Sequence, residues 1–297
     1  MSCNVCPRMC SGDRLRGGGF CGASDVMEVA RVWRHRGEEP PICGERGICN
    51  VFFSHCNLQC VYCQNHLISS RKCLSPTLRG VAEVATEVER VLGESEGMLG
   101  LVTPSHYGHL IPELVERLWE DGVRPTVVWN SGGYDSVEML RRVEPYVDVY
   151  LPDLKYMTAE VAERYSHAKD YPEVATAAVK EMARQKGSAL LCDERGLAFR
   201  GLVVRHLVLP GEVEESKRVL RWIAEELPGN VHLSLMAQYY PPEGLELPDN
   251  LRRRLSEEEY GEVVEEMERL GLGKGWVQEL ASSESYRPHF GEQETFS

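Results

Sequence analysis

VFFSHCNLQCVYCQN, residues 51–65, changes character in its middle. It opens as an apolar, β-favouring run and then places Cys56, Cys60 and Cys63 within eight residues, so a strand ends where soft donor atoms begin. The same change recurs along the chain. MLGLVT (98–103), PTVVWN (125–130), VDVYLPD (147–153), LVVRHLVL (202–209) and VHLSLMA (231–237) are short apolar runs that give way to polar or turn-forming residues. Between them Val81, Val84, Ala85, Val88, Val91 and Leu92 keep helical spacing, as do Leu110, Leu114 and Leu118, then Val219, Leu220, Ile223 and Leu227. Strand alternating with helix predicts a parallel sheet with right-handed crossovers, either a partial barrel or a doubly wound sheet. Ligands of such sheets bind at the carboxyl ends of the strands, so Cys56, Thr103 to His106, Asn130 to Gly133, Asp153 to Lys155, Pro210-Gly211 and Gln238 to Tyr240 should all face one mouth.

The 297 residues, 42% hydrophobic, suffice for one substantial α/β core. A formal net charge of -13 argues against a partner with a phosphate backbone or an anionic membrane surface. The sequence has no run of about 18 apolar residues, and MSCNVCPRMC does not read as a signal peptide, so the expected location is the cytoplasm. There, closely spaced cysteines read as metal or cluster ligands rather than disulfides, and an odd total of 11 agrees.

Residues 1–48 read as a small Cys-rich cap with no sustained strand period, and residues 49–297 as the core with a C-terminal helix and tail. In the cap, Cys3, Cys6, Cys10 and Cys21 have the spacing C-x2-C-x3-C-x10-C, which suits a zinc ion or an auxiliary cluster but also allows no metal. Residues 158–187 read as two helices broken near Pro172, 188–201 as a hairpin, and 256–271 as an acidic helix.

C-x3-C-x2-C supplies three thiolates from one short loop, enough for three corners of a cubane cluster with the fourth iron open. A structural zinc site would be closed by a fourth ligand, for which His55, His66, Cys49 and Cys73 are candidates.

CNLQCVYC resembles the signature of the radical SAM superfamily, with Tyr62 as the aromatic residue before the third cysteine. VDVYLPDLKY, VVWNSGG and VRHLVLPG are similar to segments of pyruvate formate-lyase activating enzymes. CxxCPRxC at Cys3 to Cys10, GxRG at Gly44 to Gly47 and CxxxCxxCQN at Cys56 to Asn65 resemble the PflX-like, activating-enzyme-related group. The resemblance implies a partial (β/α)6 TIM-like barrel, a [4Fe-4S] cluster on Cys56, Cys60 and Cys63, and S-adenosylmethionine. It further implies cleavage to a 5′-deoxyadenosyl radical, reduced ferredoxin or flavodoxin as electron donor, and a protein or peptide as the molecule that loses hydrogen. Two departures stand out: Thr103-Pro104-Ser105-His106 replaces the usual Gly-Gly-Glu after the second strand, and Asn130 replaces an aspartate.

On this basis Tyr62, Thr103, His106, Asn130, Ser131, Asp153, Lys155 and Arg205 are candidates for the cofactor site. Asp153 and Lys155, two apart in extended chain, point the same way. Arg205 interrupts an apolar strand and therefore needs an acidic partner inside the barrel, such as a cofactor carboxylate. Tyr239 and Tyr240 are candidates to flank an adenine ring or to pack. Competing functions are radical modification of RNA, a nucleotide or a small metabolite, and a non-catalytic zinc or iron–sulfur protein.

Overall fold

The computed structural model describes residues 3–16 and 18–282; Met1, Ser2, Gly17 and the tail from 283 lie outside the described residues. In chain order the elements are β1 (Glu28–His35), α1 (Pro40–Cys43), β2 (Ile48–Phe53), α2 (His66–Ser69), β3 (Leu78–Arg79), α3 (Val81–Leu92), β4 (Met98–Val102), α4 (Ile111–Glu120), β5 (Thr126–Ser131) and α5 (Val137–Val143). They continue with β6 (Val149–Pro152), α6 (Ala159–Ser166), α7 (Tyr171–Lys186), β7 (Leu191–Cys192), β8 (Ala198–Leu207), α8 (Val213–Glu226), β9 (His232–Met236), α9 (Glu257–Arg269) and β10 (Gly275–Val277).

The helices follow from local signals. In α3, Val84, Ala85, Val88, Val91 and Leu92 form the buried stripe of an amphipathic helix. Pro172 lies in the first turn of α7, where its missing N–H costs nothing, so the break falls just before it. Ser256 and Glu259 close a reciprocal capping box at the start of α9.

The sheet order is β10-β9-β8-β6-β5-β4-β2-β1-β3, with β7 paired on β8. The six strands expected from the sequence are β2, β4, β5, β6, β8 and β9, each parallel to the next, as in a partial TIM-like barrel. β10 extends this parallel run at one edge. At the other edge β1 pairs antiparallel with β2, a strand within the segment expected to carry none. Arg31 and Arg34 break its apolar run, which hid it, yet Val29 and Val32 are buried and the Arg31 guanidinium lies 4.6 Å from the Trp33 ring centre. The sheet therefore begins before residue 48.

Side chains alternate across these strands, and the alternation builds the site. On β5, Val127 and Trp129 join the large core under the helices, Val128 joins a smaller apolar floor, and Asn130 lines a cavity. On β8, Leu202 and Val204 face the helices, Val203 lies in the floor and Arg205 in the cavity. Ile42 and Cys43 of α1 pack into the same floor. Each fully buried aliphatic side chain contributes about 1.5–3 kcal/mol, so the apolar lower half holds the barrel and frees the upper half to be polar.

Candidate functional site at the carboxyl ends of the strands

The loop after β2 is held by its own backbone and by one glutamine. His55 N–H donates to the Ile68 carbonyl at 2.7 Å and Val61 N–H to the Tyr165 carbonyl at 2.9 Å. The Gln59 amide donates to the Cys56 and Ser69 carbonyls at 2.8 and 2.7 Å and accepts from Arg71 N–H at 3.0 Å. His55 (φ 71°), Gln59 (φ 57°) and Thr103 (φ 61°) all adopt left-handed backbone. Such residues cost of order 1–3 kcal/mol each and concentrate at functional sites; for β-branched Thr103 the conformation is a true outlier.

Cys56, Cys60 and Cys63 line one cavity of about 440 Å³ with Tyr62, Asn130 and Lys155. Each sulfur has a partner: Leu58 N–H to Cys56 at 3.3 Å, the Ser166 hydroxyl to Cys60 at 3.0 Å, and the Ser69 hydroxyl to Cys63 at 3.2 Å. Burial, then the neighbouring Cys60 and Cys63, pushes the free Cys56 thiol up to about 12. Among the described residues no three His, Cys, Asp or Glu side chains converge on a single metal ion. Three soft donors on one loop, each with a hydrogen-bonding neighbour, fit the [4Fe-4S] group.

The other candidate residues divide into those at the cavity and those behind it. Thr103, Asn130, Ser131, Asp153, Lys155 and Arg205 line it. Thr103 N–H donates to the Asn130 carbonyl at 2.8 Å. Ser131 donates to Asp135 at 2.5 Å, so this serine is fixed by a buried carboxylate that the sequence did not single out. Lys155 Nζ lies 2.5 Å from Asp153 Oδ2, and the pair is largely buried, the two side chains only 14% and 24% exposed. Burial opposes the lysine charge, but Asp153 beside it raises Lys155 well above the usual lysine range.

Arg205 faces the interior and has acidic partners, as its position in an apolar strand requires. Within the chain they are Glu39 and Glu38. Its Nε donates to Glu39 Oε1 at 2.8 Å, its Nη2 to Glu39 Oε2 at 2.6 Å, and Nη2 also to Glu38. Glu38 in turn accepts from Asn50 Nδ2 at 2.9 Å. The Asn50 side chain has room because residue 100 is glycine, where a Cβ would lie 1.9 Å from Asn50 Oδ1. Burial raises the Glu38 carboxyl, and Arg205 and His35 more than offset it, so Glu38 stays ionised below the ordinary range.

His106 is not among the residues lining the cavity. It is fully buried, its Nε2–H pointing at the Ser54 carbonyl at 2.8 Å, and burial pushes it down to about 3, so it is a neutral packing histidine. Tyr62 is buried with its hydroxyl 2.6 Å from that of Tyr156, which continues to Ser166 at 2.9 Å and so to Cys60. Tyr239 packs edge-on against Tyr62 and donates to the Leu251 carbonyl at 2.6 Å, which makes it a packing residue. Gln64, Gln238 and Gln278 add an amide rim: Gln64 Nε2 donates to the Gln238 carbonyl at 3.1 Å and Gln278 Nε2 to Gln238 Oε1 at 2.9 Å. No helix of the described residues is long and apolar enough to cross a membrane.

The uncharacterized protein MJ0674 of Methanocaldococcus jannaschii is 28% identical over 281 residues, covering 91% of this chain and 75% of that protein. Among solved structures, a domain of pyruvate-formate lyase-activating enzyme from Bacteroides vulgatus aligns over 58% of this chain and 92% of its own, with 16% identity and a TM-score of 0.40. SuiB of Streptococcus suis, solved bound to S-adenosylmethionine, aligns over 76% of this chain and 48% of its own, with 11% identity and a TM-score of 0.46. Both structural likenesses are distant. The profile described as the Radical SAM superfamily matches residues 50–223, more than half of the chain and including the whole cysteine loop. The chain belongs to the radical SAM superfamily, which implies a [4Fe-4S] cluster and S-adenosylmethionine.

Proposed function

We propose that the chain cleaves S-adenosylmethionine reductively and uses the product to remove a hydrogen atom from a protein or peptide. Cys56, Cys60 and Cys63 would hold the [4Fe-4S] cluster, which would supply the one electron needed to cleave the sulfonium to methionine and a 5′-deoxyadenosyl radical, the species that would take a hydrogen atom from the substrate. Lys155, kept cationic by Asp153, is the cation placed to receive the methionine carboxylate, since the Arg205 fork is already taken by Glu39. Thr103, in a left-handed conformation, lines the cavity at the position where the usual Gly-Gly-Glu is missing. Reduced ferredoxin or flavodoxin is the proposed electron donor.

The observation that carries this reading is that the three thiols and the polar strand ends line one cavity. The rim of Gln64, Gln238 and Gln278 supports a polypeptide substrate, because primary amides pair with peptide groups in both directions. The test uses deuterated protein and small-metabolite fractions, each incubated anaerobically with the reconstituted enzyme, S-adenosylmethionine and reductant. Deuterium in 5′-deoxyadenosine from the protein fraction supports the proposal. Deuterium from the metabolite fraction alone transfers the assignment to a small substrate.

A further inference from the structure

Among the described residues from Cys3 to Val26 there is neither an α-helix nor a strand, only a single turn of 3-10 helix at Arg14–Arg16. Its apolar side chains do not form a core of their own: Met9 is 65% and Leu15 78% exposed. It is nevertheless compact. Cys3 N–H donates to the Cys10 carbonyl at 2.7 Å, Met9 N–H to the Cys6 carbonyl at 3.2 Å, and Gly18 N–H to the Asp13 carbonyl at 2.9 Å. At Gly12 a Cβ would meet the Gly18 carbonyl oxygen at 2.2 Å, so the chain crosses itself there and returns Cys21 toward Cys10.

The four cysteines of this lobe are free thiols, and Cys6 and Cys21 are each within electrostatic reach of the other three. Every sulfur has an N–H donor. Phe20 N–H lies 3.4 Å from Cys10 Sγ, Ala23 N–H 3.4 Å from Cys21 Sγ, the Arg8 N–H serves Cys6, and Arg14 Nη1 lies 3.6 Å from Cys3 Sγ. At Cys6 and Cys21 the donor is the N–H two residues on, the same turn that Leu58 makes to Cys56 in the cluster loop. N–H donors at all four sulfurs would steady them as thiolates once a bound metal displaces their protons.

We propose that Cys3, Cys6, Cys10 and Cys21 hold a second, soft metal centre as four thiolates, apart from the cluster loop, and that this centre staples the N-terminal lobe. As at the cluster loop, the side chains do not yet converge on one ion; metal binding draws such ligands together and releases their protons. A segment too small to build a core commonly depends on a staple of this kind. The staple has a purpose at the neighbouring site. Arg8, between Cys6 and Cys10, donates to the Asn57 carbonyl at 2.8 Å, the Leu58 carbonyl at 3.4 Å and the Ser166 carbonyl at 2.9 Å, and also to His167. It thereby joins the turn after Cys56 to the end of α6, whose Ser166 hydroxyl faces Cys60. Arg8 is a positioning residue that ties the second centre to the loop of the first.

Iron, zinc and sulfide are counted per chain in full-length protein purified and reconstituted anaerobically, beside the triple variant Cys56→Ala/Cys60→Ala/Cys63→Ala and the double variant Cys6→Ser/Cys21→Ser. The proposal expects the wild type to hold metal beyond one four-iron cluster, as either zinc or additional iron with sulfide. It expects the triple variant to keep that extra centre and the double variant to lose it. Four irons and no zinc in the wild type overturns the proposal without reference to any variant, as does unchanged metal in a folded double variant. Loss of the main cluster alone in the triple variant leaves the second centre standing, so the failure of one assignment is told from the failure of the other.

Discussion

Arg205 on β8 and Glu39, 166 residues earlier in the chain, form a bidentate ion pair inside the barrel, with N–O distances of 2.8 and 2.6 Å. Glu38 shares the same guanidinium. Arg205→Met leaves two buried carboxylates without their cation and should destabilise the apo chain by about 3–5 kcal/mol. Urea unfolding measures it. A loss below about 1 kcal/mol, the range of an exposed pair, contradicts a buried network.

Gly100 admits Asn50 to that network. Gly100→Ala should cost about 1–3 kcal/mol, because the added methyl occupies the position of Asn50 Oδ1. Adding Asn50→Ala should relieve part of the cost, so the double variant should be more stable than the sum of the two singles. Strict additivity in a double-mutant cycle argues against the steric account.

Much of this architecture was legible. Each of the six core strands ends in a change from apolar to polar residues, and that change placed Thr103, Asn130 and Asp153 at one cavity. Arg205 announced a buried acidic partner. Glu38 and Glu39 could not be found, because nothing local distinguishes two glutamates before Pro40-Pro41 and their partner is far along the chain. β1 was hidden by arginines that break its apolar pattern, of which Arg31 lays its guanidinium over the Trp33 ring. His106 sits in the 3-10 helix Ser105–Leu110 just after a strand end, the place where a functional histidine would be, yet it is buried against the Ser54 carbonyl and does not line the cavity.

Ser166 links Tyr156 to Cys60. Removing the hydroxyl in Ser166→Ala takes a hydrogen-bonding group from a ligand sulfur, which should lower the reduction potential of the reconstituted cluster. An anaerobic redox titration followed by EPR reads it. An unchanged or raised potential contradicts the role given to this hydroxyl.

His206 is fully buried, with Nδ1 2.7 Å from the Leu154 carbonyl and Nε2 2.9 Å from the Ser216 hydroxyl, and burial pushes it down to about 4. Its unfolded value is near 6.5, so between about pH 6.5 and 4 the unfolded chain binds the extra proton. Stability should fall as pH drops through that window and be fully present above it. Urea midpoints measured from pH 7.5 to 4 should show a shallower decline in His206→Gln; parallel curves would assign the acid sensitivity elsewhere.

Arg8→Ala should loosen the cluster loop without unfolding the barrel. Chelation by a strong iron ligand should strip the main cluster several-fold faster than in the wild type, a rough expectation for removing a positioning neighbour of a metal loop. Arg8→Lys should rescue poorly, because a point charge cannot serve several carbonyls as the guanidinium fork does. Equal stripping rates in Arg8→Ala and wild type contradict the link.

The most direct test is single and chemical: 5′-deoxyadenosine and methionine quantified by liquid chromatography after anaerobic reduction of the reconstituted chain with S-adenosylmethionine. The account predicts both products in equal amounts from the wild type, none from Cys60→Ala, and a reduced yield at limiting S-adenosylmethionine from Lys155→Met. A wild-type chain that carries a full, reducible [4Fe-4S] cluster and yields neither product contradicts it.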